Sequence, residues 1–310
     1  MTGSASRPPL RTSFVAPAAL TPERRAAMFA LLSVWFEGYG EDYFNEELED
    51  LDHCVLQEDA ATGELVGFAT VYRQAMEIDG TAVGAFHTAH CILERRFWGS
   101  NELVRSMVAE MVARARADRS GRLWYWSYSA VGYRSYRYMP MLFVRHTPHP
   151  DQPPDDLDRA FRDHIGRKCF AQYYDADTGT VDWQWQGYGL TKEARAISEA
   201  KLDSPAVAQF RRVNPRWADS VEVLCLARLQ DDNLTAFGRR WFPVSPRPSG
   251  ERVAPKAPGE GVALLPNGPT RAGGCAFAER SDTRNPLTLT LSPEGRGDFK
   301  TPPPQASTLE

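Results

Sequence analysis

The stretch Cys91-Ile-Leu-Glu-Arg-Arg-Phe-Trp-Gly-Ser-Asn-Glu-Leu103 carries the residue types best suited to gripping an anion. It leads from an apolar, strand-like run into an amphipathic helix. The first backbone N–H groups of such a helix have no intrahelical partner and point outward, so they form a ready anion site. Arg95 and Arg96 add positive charge, and Gly99 lets the backbone approach a phosphate closely. A pyrophosphate-bearing ligand is the natural guest of that loop.

The elements that must hold the loop follow from periodicity. Thr21-Pro22 reads as an N-cap with proline at the first helical position, and apolar residues at helical spacing carry that helix to Glu37. An acidic helix over 43–51 comes next. Strands are expected over 53–58, 65–73 and 81–93, the last two joined at Asp79-Gly80, a strong hairpin signal. Leu103, Val104, Met107, Val108, Met111, Val112 and Ala115 mark one face of a long helix. An aromatic strand over 123–130 and a Tyr/Arg-rich helix over 132–143 complete this part. Beyond a Pro/Asp linker the pattern predicts helices over 156–170 and 191–211 and strands over 180–186 and 221–229.

Composition narrows the classes. The 310 residues carry 40 acidic and 36 basic side chains, a net charge of −4. That balance removes the general electrostatic case for a nucleic-acid binder or a polybasic membrane protein. The rings of Trp124, Tyr125, Trp126 and Tyr128 read as core on a central strand rather than as a base-stacking platform. No apolar run reaches the length of a membrane span, and Met1–Leu10 lacks the apolar stretch of an export signal. Five scattered cysteines without a C-x-x-C pair give neither a zinc ribbon nor a disulfide framework. A cytoplasmic chain with reduced thiols and no metal is the expectation.

Residues 246–310 hold eleven of the 23 prolines and neither Trp nor Tyr, a composition expected to stay disordered. One set of codons for Pro286–Gly297 has a reverse complement reading Pro-Arg-Pro-Ser-Gly-Glu-Arg-Val, the sequence of Pro246–Val253. The tail therefore resembles a translated intergenic DNA repeat. The organisation expected is a flexible arm over 1–20, a core over 21–150, an extension over 151–245 that completes the sheet or a substrate pocket, and the tail.

The core resembles the GNAT N-acetyltransferase superfamily. That family's acyl-CoA loop reads roughly Arg/Gln-x-x-Gly-x-Gly/Ala, and Arg96-Phe-Trp-Gly99-Ser-Asn101 matches it at the arginine and the first glycine, departing at Asn101. The element order from Thr21 to Phe143 fits as well. The resemblance implies an α+β fold, a mixed and mostly antiparallel sheet flanked by helices, here with a C-terminal α/β extension. It implies acetyl-CoA or another acyl-CoA as co-substrate, held by Ile92, Leu93, Arg95, Arg96, Phe97, Trp98, Gly99, Ser100 and Asn101. A backbone N–H near Ile92 or Leu93 would polarise the thioester carbonyl.

The same resemblance implies a tyrosine beside the CoA sulfur, with Tyr136 as general acid; Tyr138 is the neighbouring alternative. An attacking amine must be neutral, so a base is needed. His87 and Glu94 are the candidates; His87 and His90, three apart on one strand, are expected on opposite faces of the sheet. Trp183, Trp185 and Tyr188 suit an apolar acceptor or acyl pocket. The expected activity is transfer of an acyl group, acetyl first, to an amine of a small molecule or protein. Two further readings stay open: a non-catalytic acyl-CoA-binding or structural module of this fold, and a transferase using long-chain or carrier-protein thioesters.

Overall fold

The structure, a computed structural model, describes residues 9–183, 189–197 and 199–243. The tail expected over 246–310 lies outside the described residues.

Leu10–Val15 forms strand β1, paired antiparallel with β3 (His53–Asp59) from Leu10↔Asp59 to Val15↔Cys54. This corrects the expectation of a flexible arm where it covers residues 10–20; residues 1–8 lie outside the described residues. An open sheet edge offers unpaired N–H and C=O groups, and the short β-prone run Leu-Arg-Thr-Ser-Phe-Val takes them up. Thr21 caps α1 (Pro22–Ser33), accepting from the Arg24 amide at 3.3 Å. The helix stops at Ser33 rather than Glu37, because the Trp35 amide bonds back to the Leu32 carbonyl and Phe36–Glu37 become strand β2. After α2 (Glu41–Leu48) come β4 (Leu65–Ile78) and β5 (Thr81–Leu93), joined by a tight turn with φ of 47° at Asp79 and 76° at Gly80.

Next are α3 (Glu102–Ala117) and β6 (Leu123–Ala130). The single helix expected over 132–143 is two short ones, α4 (Tyr133–Tyr136) and α5 (Tyr138–Leu142). Pro140 has no N–H for the carbonyl one turn back, which loosens the helix at that point. Asp155 caps α6 (Asp156–Phe170), accepting from the Asp158 amide at 2.8 Å. Short strands β7 (Tyr174–Asp175), β8 (Thr180–Val181) and β9 (Gly189–Leu190) follow. The helix expected over 191–211 is three pieces, α7 (Lys192–Arg195), α8 (Glu199–Leu202) and α9 (Pro205–Val213), the last restarted at Ser204-Pro205 with Ser204 as cap. β10 (Glu222–Arg228) and α10 (Ala236–Trp241) close the described chain.

The main sheet runs β1-β3-β4-β5-β6-β10-β8-β7, while β2 and β9 pair separately. Every described pair in the main sheet is antiparallel except β5 with β6, which α3 connects. The fold is thus a mixed, mostly antiparallel sheet flanked by helices. Residues beyond 150 belong to the same sheet, since β10 lies beside β6. Two apolar clusters cover its faces: α1, α2 and α6 pack on one, and α3, α4, α5 and α9 on the other. Buried charges pin α3 to the sheet. Arg114 donates to Asp52 at 2.6 Å and pairs with Glu110, and His53 Nδ1 lies 2.8 Å from Asp52.

Candidate functional site

The β5–β6 pairing runs only from Val83↔Leu123 to Thr88↔Tyr128. Past Thr88, β5 stays with β4 while β6 stays with β10, so a gap opens between the two parallel strands. A bulge lies at that point: Val71 faces Thr88 but Ala69 faces Cys91, so β5 carries one extra residue. The Thr70 hydroxyl takes the displaced His90 amide at 3.0 Å.

The backbone beyond the bulge has a readable parity. The His90 amide points to Thr70 and the Glu94 amide to the Val66 carbonyl at 2.8 Å, both on β4. Alternation therefore turns the Ile92 amide toward β4 and the Cys91 and Leu93 peptide groups toward the gap. Of the two positions expected to supply a donor, Ile92 is committed to β4 and Leu93 faces the gap. At the open edge the Leu93 carbonyl accepts the Trp98 Nε1–H at 3.0 Å.

A cavity of about 620 Å³ fills the gap and continues over the α3 face. Its floor is β5 from Thr88 to Leu93, and α3 contributes Val104 and Met107. Residues after β6 and in α4 form one wall. Leu190, Ala194, Ile197 and Phe210 close it from the C-terminal part. Arg134, Arg137 and Lys201 line it and no Asp or Glu does, among the described residues. The chain is acidic overall, so this cationic lining is a local feature.

Of the expected acyl-CoA residues, Ile92, Leu93, Trp98 and Gly99 line the cavity. Gly99 has φ of 91°, a backbone conformation that favours glycine. The others are placed differently. Residues 95–97 form a 3₁₀ turn that directs Arg96 outward, 2.7 Å from Glu64 and 2.8 Å from Glu94, with its guanidinium over the Phe97 ring. Arg95 lies over Trp98, Phe97 is buried in the protein, and the Ser100 hydroxyl accepts the Glu102 amide at 3.2 Å. Asn101 Oδ1 accepts from both Arg137 Nη2 and the Tyr138 hydroxyl, each at 3.0 Å. The cations at the cavity are thus Arg134, Arg137 and Lys201 rather than Arg95 and Arg96. Arg134 donates to the Ala194 carbonyl at 3.2 Å and covers the Trp98 ring at 4.7 Å.

The expected acid and base residues also move. Tyr136 is buried, its hydroxyl donates to the Pro148 carbonyl at 3.1 Å, and it does not line the cavity. Tyr138, one residue past the Pro140-induced break, does line it, and burial raises its pKa so that the hydroxyl keeps its proton. Glu94 pairs with Arg96 and faces away. His87 shares a hydrogen bond with Ser127 Oγ at 3.0 Å, and burial pushes its pKa down to about 4.

A second, smaller pocket of about 80 Å³ adjoins the gap on the other face of the sheet. Both His87 and His90 line it, since the bulge reverses the alternation that places them on opposite faces. His90 Nε2 lies 3.3 Å from Glu47 Oε2, and the Tyr39 hydroxyl makes a short hydrogen bond to the same oxygen. Trp183 lines the pocket; Trp185 and Tyr188 lie outside the described residues. Cys169 lines it as well, and Cys54, Cys91 and Cys225 are free thiols, as expected for those three.

Glu222 is the residue that periodicity overlooked. It opens β10 next to Val221, within an apolar run, and only the sheet order brings it to the gap. Burial raises its pKa, while hydrogen bonds from Ser129 and Trp183 and the nearby His90 pull the other way. The two pockets share Phe36, Ala89, His90, Ser129 and Val131. One chamber lined by cations and one holding a carboxylate therefore meet at a gap edged by peptide groups that face away from β4. No group of three or more His, Cys, Asp or Glu able to hold a metal is found among the described residues. No described helix is long and apolar enough to cross a membrane.

Neither a protein-family profile nor a curated protein sequence matches this chain. Solved structures do, at low identity. A probable N-acyltransferase from Enterococcus faecalis is similar at 10% identity and a TM-score of 0.34, over 44% of this chain and 33% of that one. The N-myristoyltransferase of Saccharomyces cerevisiae, solved with myristoyl-CoA, is similar at 16% and 0.31, over 39% and 29%. The chain thus spans about a third of the length of these two structures. A GNAT family N-acetyltransferase from Escherichia coli in complex with CoA is similar at 17% and 0.30, over 44% and 71%.

Proposed function

We propose that this protein is an acyl-CoA-dependent N-acyltransferase that works without a metal. The observation that carries the reading is the gap between β5 and β6, where a carboxylate-free cavity with three cationic residues reaches open-edge peptide groups. In this reading residues 21–150 form the acyl-CoA-binding core and 151–245 the remaining walls, and the chain acts in the cytoplasm. The acceptor is an amine of a small molecule or protein, with no nucleic acid or membrane as partner.

The donor set fits an acyl-CoA. Arg134, Arg137 and Lys201 suit its phosphates. The Cys91 amide, facing the gap, would polarise the thioester carbonyl. Glu222 would take one proton from the acceptor's ammonium, leaving a neutral amine. The amine nitrogen then forms a bond to the carbonyl carbon as the carbon–sulfur bond breaks. The second nitrogen proton leaves with the sulfur as a thiol, relayed through the Tyr138 hydroxyl. Protons balance: one on Glu222, one on the thiol.

Titrating CoA into the full-length protein and following free-thiol release with an amine panel tests the reading. Binding together with release supports it. Binding without release from any amine would leave an acyl-CoA-binding module. A chain longer than acetyl is favoured by one feature: Val104, Met107, Trp126, Ile197 and Phe210 give the cavity an apolar lining that acetyl would not need. Stronger stabilisation by octanoyl-CoA than by acetyl-CoA is the result expected of that variant of the reading.

A further inference from the structure

We infer that the smaller pocket is an acceptor subsite that receives the slender alkylammonium end of its substrate. The inference rests on the acyl-transfer reading for the acceptor's role, but the pocket's chemistry stands by itself. Phe36, Tyr39, Tyr72, Phe170 and Trp183 present aromatic rings to it. Among its described lining residues Glu222 is the one carboxylate, and neither Lys nor Arg is present. An aromatic wall attracts a cation through the negative face of each ring, most strongly where water is excluded. A carboxylate in such a place, held by Ser129 and Trp183 and near only a histidine, lacks a full positive partner among the described residues. An ammonium supplies that charge.

Size and place restrict the guest further. At about 80 Å³ the pocket is a small fraction of the 620 Å³ cavity beside it, so it favours a slender head over a bulky one. A carboxylate next to the amine, as in a free α-amino acid, would meet Glu222 at close range and be repelled. The pocket opens to the gap through Phe36, Ala89, His90, Ser129 and Val131. An ammonium beside Glu222 therefore lies within reach of the open edge of β5. The substrate class is an unbranched aliphatic amine or a side chain ending in one, such as a lysine-like terminus.

The test is calorimetric titration of the full-length protein, with and without saturating CoA, by n-butylammonium, n-butanol and glycine. n-Butylammonium is expected to bind about tenfold or more tightly than either of the others, and Glu222→Gln to abolish that preference. Equal binding of n-butanol, or preference for glycine, overturns the inference. Should Glu222→Gln fail to fold, the n-butylammonium/n-butanol comparison on the unaltered protein decides alone. The two readings fail separately. If CoA does not bind but n-butylammonium does, the transferase reading falls and the pocket assignment stands. If CoA binds and no alkylammonium does, the pocket assignment falls.

Discussion

A carboxylate with a raised pKa beside a gap in a sheet has a clear consequence for pH. Glu222 accepts a proton only when ionised, so kcat/KM should climb as pH rises through its pKa. Burial places that limb above the ordinary carboxylate range of about 4.5. Glu222→Gln should lower kcat/KM on the order of 100-fold or more and remove the limb. His87 behaves in the opposite way. Its pKa is about 4 in the fold against about 6.5 unfolded, so the unfolded chain binds the extra proton first. Stability should fall as pH drops from about 6.5 toward 4, by on the order of 3 kcal/mol from this residue. Urea unfolding at pH 7.5 and 5 should show a smaller drop for His87→Gln. The two tyrosines separate similarly. Tyr138→Phe should slow turnover, whereas Tyr136→Phe should cost about 1 kcal/mol of stability through the lost bond to Pro148 and leave turnover intact.

At the scale of elements, the strand before the loop and the helix after it were legible because each depends on local pattern. Strand β5, the Asp79-Gly80 turn, helix α3 and strand β6 follow their expected spans closely. What local pattern does not contain is the bulge opposite Thr70, which puts His87 and His90 on one face. Nor does it contain the 3₁₀ turn that spends Arg96 on Glu64 and Glu94. Arg137 was visible only as part of a helix; its cavity position depends on the bend before Pro140. Arg137→Ala is accordingly expected to weaken CoA binding about tenfold, and Arg96→Ala to leave it nearly unchanged, in parallel titrations. The anchoring of α3 makes a separate prediction. Arg114→Ala strips the positive partner from buried Glu110 and should destabilise by about 3–5 kcal/mol in denaturant unfolding.

Across the whole molecule, the sheet acts as a partition. The larger cavity lies on the α3 face and the smaller pocket on the α6 face, and the two meet where β5 and β6 part; in the proposed reading they take the acyl-CoA and the acceptor. Glu222 and His90 lie far apart in sequence, and only the insertion of β10 beside β6 unites them. Such a pairing leaves no periodic trace, which is why the proposed base is not legible in the chain alone while the fold class is. In the proposed reading the cationic cavity holds an acyl-CoA. The most direct measurement is the thermal unfolding of the full-length protein with CoA, acetyl-CoA and octanoyl-CoA. A ligand at about 100 times its Kd adds roughly 2.7 kcal/mol, so a rise of a few degrees is expected. Cooperative unfolding at an unchanged temperature with all three at saturating concentration would contradict the account.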